Sequence, residues 1–255
     1  MHKLSVLIHT YNNRKIINRC LESIEWADEI IICDSFSSDD TVKICKRYTK
    51  NIYYYGHKYS ADQKNWTISK CSYEWIFHID SDEVATPELG SEIRRILAQD
   101  VIPHEAFRMS RKNHVFGKWV KGSDLYPDMQ IRLFKNKFRY EDKFIHAKLR
   151  VKGKIGELRG HILHYGFEDW ETVKWKFNRY RALEHLQLKK EKKRIRFYHI
   201  LIDPIVIFMY LFFIKKGLLD SWRGFFWPLF ISALKFCLYK DIFPMRSAYA
   251  KNTTY

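Results

Sequence analysis

Chemistry in this chain concentrates first in one acidic stretch, His78-Ile79-Asp80-Ser81-Asp82-Glu83. Two carboxylates one residue apart can bind a hard divalent cation, directly or through water, and can also reach a ribose hydroxyl. Mg²⁺ or Mn²⁺ held by Asp80 and Asp82 can neutralise a diphosphate leaving group. The plainer reading is a solvated turn that caps the next helix. Three other segments carry polar groups in suggestive company: Thr10-Tyr11-Asn12, Asp34-Ser35-Phe36-Ser37-Ser38-Asp39-Asp40-Thr41 and Gln63-Lys64-Asn65. Farther on, Asp128 follows Tyr126-Pro127, where proline fixes the chain locally, and it precedes an apolar run. Gln130 and Arg132 alternate with Met129, Ile131 and Leu133 and so share one strand face, which lines a binding site or faces water.

The elements that must position these groups alternate short β-rich runs with amphipathic stretches, the pattern of βαβ units feeding a largely parallel sheet. Residues 4–9 read as the first strand. Residues 13–25 place Ile16, Ile17, Cys20, Leu21 and Ile24 on one helical face. Residues 29–34 form a strand buried on both faces. Ser38-Asp39-Asp40 supplies N-cap chemistry for a helix to residue 48, and residues 51–55 form a third strand. A helix over 61–71 and a strand over 75–79 follow. The acidic stretch therefore falls at a strand's carboxyl end, where open α/β sheets bind ligands. Thr86-Pro87-Glu88 opens a helix to residue 98. From 105 to 165 the runs shorten and lose intervening helices, which reads as mixed or antiparallel sheet. A helix over 169–190 precedes two apolar segments, 200–214 and 225–238. Each is shorter than the roughly 20 residues that cross a bilayer, and Asp203, Pro204, Pro228 and Lys235 interrupt them. They read as helices lying in a membrane plane.

The three polar segments together with the acidic stretch resemble nucleotide-sugar transferases of glycosyltransferase family 2. The likeness is closest to bacterial lipopolysaccharide-core β-1,4-glucosyltransferases. It extends to Cys20-Leu21-Glu22-Ser23-Ile24, Trp26-Ala27-Asp28-Glu29-Ile30, the run Tyr126 to Phe134, Leu163-His164-Tyr165 and Leu218-Leu219-Asp220-Ser221-Trp222-Arg223-Gly224. It implies a GT-A fold, Rossmann-like, with a mixed sheet flanked by helices. A catalytic domain would cover 1–168, with a nucleotide-sugar half over 1–100 and an acceptor half over 101–168. A basic, apolar, membrane-associating helical extension would cover 169–255.

The resemblance also implies roles. Thr10, Tyr11, Asn12 and Asp34 would surround the nucleotide base, with Asp34 accepting from the ring imide. Asp39 and Lys64 would lie close by, Lys64 where the superfamily more often has arginine. Their plainer readings are a helix N-cap and an exposed amphipathic lysine. Asp80 and Ser81 would meet the ribose, Asp80 also touching the metal, and Asp82 would be its principal ligand. His146 or His164 would complete the metal shell or stay an ordinary hydrogen-bonded histidine. Inverting transfer needs a base for the acceptor hydroxyl, and Asp128 is the candidate, the alternative being a turn former. Gln130, Arg132 and Arg179 would face the acceptor. The activity implied is transfer of a sugar, glucose from UDP-glucose, to a lipid-linked inner-core saccharide. Another donor sugar, used in capsule, protein or other glycan assembly, is the alternative. Two positions depart from the family pattern: Phe36 replaces a usual glycine, and Ala147 follows His146 where relatives commonly have glutamate.

Composition bounds the rest. With 255 residues, 46% of them apolar, the chain can bury one sizeable core and an appendage. Its five cysteines are odd in number and contain no Cys-x-x-Cys pair, which suits free thiols in a reducing cytoplasm. Met1-His2-Lys3 runs straight into an apolar strand, so no secretion leader is expected. The net charge of +16 calls for an anionic partner. From Lys174 to His199, ten Lys or Arg face two Glu beside the most apolar part of the chain. That juxtaposition suits the inner face of the cytoplasmic membrane; a solvated helix face, or packing on the catalytic domain or in a dimer, is the alternative. Nucleic acid is the poorer partner, because no RNP motif, zinc-ligand spacing or helix-turn-helix signature is present. Sugar-nucleotide synthesis would want an early glycine-rich phosphate loop, and the first 55 residues hold no glycine.

Overall fold

The computed structural model describes residues 1–56, 60–193 and 195–251, so Arg194 of the basic run lies outside the described residues. The chain divides into two compact units: Met1–Asn113 with Pro127–Gly166, and His114–Tyr126 with Phe167–Tyr255.

In chain order the strands and helices up to residue 167 are β1 (Leu4–Thr10), α1 (Ile17–Glu22), β2 (Glu29–Asp34), α2 (Thr41–Cys45), β3 (Ile52–Tyr54), α3 (Ser60–Ile68), β4 (Trp75–Asp80), β5 (Glu83–Ala85), α4 (Pro87–Leu97), β6 (Ala106–Val115), β7 (Lys118–Trp119), β8 (Asp128–Lys135), β9 (Arg139–Tyr140), β10 (Leu149–Arg150) and β11 (Ile155–Phe167). Among the described residues nine strands share one sheet, in the order β3-β2-β1-β4-β8-β6-β11-β5 with β7 paired to β6. Strands β3, β2, β1 and β4 run parallel, whereas β8 is antiparallel to both β4 and β6. This is the mixed sheet flanked by helices expected of a GT-A chain.

Burial on both faces explains why the central strands are apolar along most of their length. Leu4, Val6 and Ile8 of β1 pack with Ile17 and Leu21 of α1 and with Leu89 and Ile93 of α4. Leu7 faces the other way, in a cluster with Ile31, Ile76, Phe134 and Ile68 of α3. Gly160 lets α4 approach β11 closely, since a Cβ there would lie 2.4 Å from Leu89 Cα. Three helices are shorter than the sequence pattern predicts. α1, α2 and α3 each end in tight turns bonded i to i−3, such as Ile24 N–H to Leu21, Tyr48 N–H to Cys45 and Cys71 N–H to Ile68. The apolar stripe continues through those turns, so periodicity alone overshoots the helix end.

The second unit contains α5 (Trp170–Lys190), α6 (Phe197–Met209), a π-helical turn (Tyr210–Ile214), a 3₁₀ turn (Gly217–Asp220) and α7 (Ser221–Lys251). Asp169 caps α5, its Oδ1 accepting from Thr172 N–H at 2.8 Å. The expectation of interrupted apolar segments needs correction. Phe197–Ile214 is one continuous helical stretch, long and apolar enough by length and composition to cross a membrane. Pro204 and Pro228 lie inside helices, where each removes one donor without ending the helix. Lys235 is satisfied by Glu184 of α5 at 2.5 Å. The motif 218–224 is structural here. Asp220 accepts from the backbone N–H groups of Lys121 and Gly122, and Arg223 donates to the carbonyls of Val115 and Phe116 at 2.8 Å.

Candidate functional site

Register brings the predicted residues to one sheet edge. Thr10 pairs with Asp34 across β1 and β2, and His9 pairs with Asp80 across β1 and β4. β8 begins at Asp128, which lies opposite Arg111 of β6, and Glu83 of β5 lies opposite His164 of β11. Residues distant in sequence thus share the carboxyl edge of the parallel strands, the usual ligand edge of such sheets.

A buried chain of charges connects them. Arg132, only 4% exposed, donates to Asp80 Oδ2 at 2.7 Å, to Glu83 Oε1 at 2.8 Å and to His78 Nδ1 at 2.9 Å. Glu83 is fully buried; the same Oε1 accepts from Arg111 Nη1 at 3.0 Å, and its Oε2 accepts from the Asp80 N–H at 2.9 Å. Arg111 in turn holds Asp128 Oδ2 through Nε at 2.8 Å and Nη2 at 2.7 Å. Asn113 and Gln130 also donate to Asp128, at 3.2 and 2.5 Å. The path Asp80–Arg132–Glu83–Arg111–Asp128 is therefore continuous.

Environment fixes the protonation states. Burial works to raise Asp80, but Arg132 and Lys64 outweigh it and hold the carboxyl well below its ordinary range. Asp128 is likewise lowered against the effect of burial by Arg111, Gln130 and Asn113. Burial, aided by Lys64 and Arg132, pushes His78 down to about 3, so its imidazole is neutral. A guanidinium can only donate, so His78 Nδ1 accepts from Arg132. Its hydrogen is then on Nε2, 3.3 Å from Asp80 Oδ1. Lys64 reaches to 4.0 Å from Asp80 Oδ1, lies over the Tyr140 ring at 5.0 Å, and is lowered by burial despite that carboxylate. Its neighbours aim it. Gln63 donates to Ser35 Oγ at 2.8 Å, while Asn65 exchanges two hydrogen bonds with the Tyr140 backbone.

Asp82 and His164 form the part of the site suited to a cation. Asn113 Nδ2 donates to Asp128, which turns its Oδ1 toward His164 Nδ1 at 2.7 Å and takes that ring's hydrogen. In neutral His164 the Nε2 lone pair then faces Asp82 Oδ2, 3.4 Å away. Two acceptors facing each other are relieved by a proton or a metal ion between them. Among the described residues no group of three or more His, Cys, Asp or Glu is placed to hold a metal. Asp82 and His164 are two groups that could hold a divalent cation. Asp80 is less suited than the sequence suggested, because Arg132 and His78 already occupy its oxygens. His146 is exposed between β9 and β10 with a left-handed backbone, φ 54°.

On the nucleotide side, Tyr11 is exposed and available to stack on a base. The Thr10 hydroxyl is buried without a hydrogen-bond partner in the structure. Asn12, at φ 50°, accepts from Ser38 N–H at 2.8 Å, and Ser81 Oγ accepts from Asn13. Asp34 is buried with both oxygens on Ser37, at 2.7 and 2.5 Å, leaving only its remaining lone pairs for an imide. Asp39 serves the start of α2, accepting from Thr41 N–H at 3.0 Å as well as from Arg14 N–H at 3.2 Å. Phe36 adopts φ 61° and stacks on Tyr54 with ring centroids 5.9 Å apart.

Two acceptor expectations are revised. Arg132 is buried and bonded to Asp80, Glu83 and His78 rather than facing water or acceptor, and half-buried Gln130 donates to Asp128. Arg179 lies on α5 of the second unit, over the Trp175 ring at 5.2 Å. Sequence reading missed Arg111, Asn113 and the central part of Glu83. Its available signal was Arg111 and Asn113 two apart on a strand, and therefore on one face.

The chain is similar to known glycosyltransferases. The lipopolysaccharide core biosynthesis glycosyltransferase LpsC of Rhizobium meliloti is 29% identical over 229 residues, 86% of this chain and 83% of that protein. An uncharacterized glycosyltransferase of Rickettsia prowazekii is 27% identical over 238 residues, 88% of this chain and 81% of that one. Among solved structures, S. aureus TarS 1-349 in complex with UDP aligns over 99% of this chain and 93% of its own, at 15% identity and a TM-score of 0.49. For TarS 1-349 alone the alignment spans 65% of that chain and 73% of this one, at 14% identity and a TM-score of 0.46. The model of Glycosyl transferase family 2 matches residues 5–151, and the chain belongs to that family of glycosyltransferases.

Proposed function

We propose that the chain transfers glucose from UDP-glucose, with inversion, to a lipid-linked saccharide of the lipopolysaccharide inner core, at the inner face of the cytoplasmic membrane. The observation that carries the reading is the continuous path from Asp80 to Asp128, which ties the donor side of the sheet edge to a carboxylate able to take a proton. The similarity to a core-biosynthesis transferase supports the acceptor class.

Asp82 and His164 would hold the divalent cation, which when bound supplies positive charge to the departing diphosphate. Tyr11, Thr10 and Asn12 would hold the nucleotide, and Lys64 would add a cation beside it. The acceptor oxygen attacks the anomeric carbon from the face opposite the diphosphate. As that bond forms, the bond to the diphosphate oxygen breaks and the hydroxyl proton passes to Asp128. Arg111, Asn113 and Gln130 keep Asp128 ionised at neutral pH and orient it. A carboxylate of low proton affinity takes the proton late, once the attacking oxygen has become acidic.

The test is nucleotide release from a panel of UDP-linked and other activated sugars, with and without Mn²⁺ or Mg²⁺, using deacylated and intact core lipid as acceptors. Metal-dependent release from UDP-glucose on core lipid is expected. Preference for another sugar or glycan would redirect the reading to capsule, protein or other glycan assembly, and release without any cation would remove the metal part.

A further inference from the structure

We propose that the exposed face of α6, continued by Leu218, Leu219 and one side of α7, docks in the plane of a bilayer containing anionic lipid. This deepens the membrane placement above and rests on it. Exposure along α6 recurs in adjacent pairs every four residues: Leu201 and Ile202, Ile205 and Val206, Met209 and Tyr210, then Phe213 and Ile214 past the helix end. Between them Ile200 and Pro204 are buried. Such a two-in, two-out pattern marks a helix with one face packed and one face open. The open face is greasy: Ile205 is 64% exposed and Leu219 71%. Over residues 197–214 the one formally charged side chain is Asp203, which is half-buried.

Length alone would let this stretch cross a membrane, but its neighbours argue for lying along the surface. α7 carries Lys235 and Asp241, which pair with Glu184 and Arg181 of α5 at 2.5 and 2.6 Å. Charged pairs along the helices of the same unit are costly inside hydrocarbon and ordinary at an interface. Cations also bracket the greasy face. Lys189, Lys190, Lys192, Lys193 and Arg196 are exposed just before α6, and Lys215 and Lys216 follow it. This flank fits anionic headgroups, and on a second copy of the chain it would meet its own like charge.

The full-length protein should co-sediment with vesicles of phosphatidylcholine and phosphatidylglycerol, and far more weakly with phosphatidylcholine alone. Ile205→Ser with Val206→Ser should lower partitioning on the order of a hundredfold. Gln at Lys189, Lys190, Lys192 and Lys193 should do likewise on the anionic vesicles only, at about fivefold per charge. Circular dichroism and nucleotide release in solution check that both variants remain folded. Wild-type protein left in the supernatant with both lipids overturns the proposal, as does undiminished partitioning of the serine variant. A concentration-dependent dimer that the serine variant abolishes, without vesicle binding, overturns it in favour of a second copy. Any of these failures leaves sugar transfer untouched, since turnover on a deacylated acceptor is measured separately.

Discussion

Glutamine at position 83 is the sharpest perturbation of the buried charges. Glu83 Oε1 accepts from Arg132 at 2.8 Å and Arg111 at 3.0 Å, while Oε2 accepts from the Asp80 N–H at 2.9 Å. Glutamine is nearly the same shape but has one acceptor and one donor end. If its oxygen faces the arginines, its NH₂ opposes the Asp80 N–H; if it flips, the NH₂ opposes two guanidinium groups. Either way a donor meets a donor, and two buried cations lose a shared counter-charge. Breaking a buried pair by removing one partner costs about 3–5 kcal/mol. At about 2–4 °C per kcal/mol for a chain of this size, Tm should fall by roughly 6–20 °C. The control is Glu157→Gln. Its partner Arg108 lies 2.9 Å away with both side chains more than half exposed, so its loss should stay below about 1 kcal/mol. Turnover of Glu83→Gln at a permissive temperature should fall on the order of a hundredfold, because Arg111 no longer fixes Asp128. Thermal melts by circular dichroism and nucleotide release on the same samples decide the matter. A melting temperature for Glu83→Gln within the range of Glu157→Gln would refute the reasoning that the network is buried and mutually dependent.

Other outcomes follow from the same geometry. Asp128→Asn should bind UDP-glucose almost normally, by calorimetry, and lose transfer by about 10²–10⁴-fold; a rate within severalfold of the parent removes Asp128 as the base. Asp82→Ala should fold and lose turnover, whereas His164→Ala should raise the Mn²⁺ concentration for half-maximal rate about 10–100-fold, and an unchanged titration excludes His164 as ligand. Buried His78, at about 3 in the folded chain against about 6.5 unfolded, makes the unfolded state bind the extra proton between those values. Its stabilising contribution is full above about 6.5 and is lost as pH falls toward 3, about 2–3 kcal/mol between pH 7 and 4.5. Urea melts at the two pH values measure it. Asp80, depressed below its ordinary range, loses its own contribution only at lower pH, so a flat profile from 7 to 4.5 contradicts the neutral His78.

The legible part of this protein was whatever local pattern encodes. The apolar runs of β1, β2 and β4 and the capped start of α4 at Thr86-Pro87 follow from period and capping, and the Asp80 cluster was expected at a strand end before any strand was paired. What escaped depends on register. Arg111 reaches Asp128 because β6 and β8 run antiparallel with those two residues opposite, and a bulge between Phe107 and Arg108 shifts the register on the way. No residue count predicts that. Alternation places Gln130 and Arg132 on one strand face, but whether that face lines a site, meets water or is buried, as it is at Arg132, is a property of the neighbouring strands. Likewise Pro204 and Pro228 read as breaks in a one-dimensional pattern, although packing in the helical unit carries both helices through them.

The network also sets Asp80 apart from Asp82, two acids one residue apart. Asp80, Glu83 and Asp128 stand among Lys64, Arg111 and Arg132, so the buried part of the site is close to neutral without any ligand. A divalent ion approaching Asp80 has to displace Arg132 from a 2.7 Å contact and face the other cations around it. At Asp82 an ion would instead find a carboxylate oxygen with His164 Nε2 3.4 Å from it, the ring oriented by Asn113. Coulomb repulsion inside a poorly screened site is large enough to decide between oxygens a few ångströms apart. On the proposed reading, Asp80 would orient what binds beside it and Asp82 would receive the ion. Asn113 bonds both His164 and Asp128, so on the proposed reading one amide would orient the cation ligand and the base together. Replacing Asn113 with leucine should therefore weaken cation binding and transfer together, whereas an effect on only one of them would mean that the two sites are set independently.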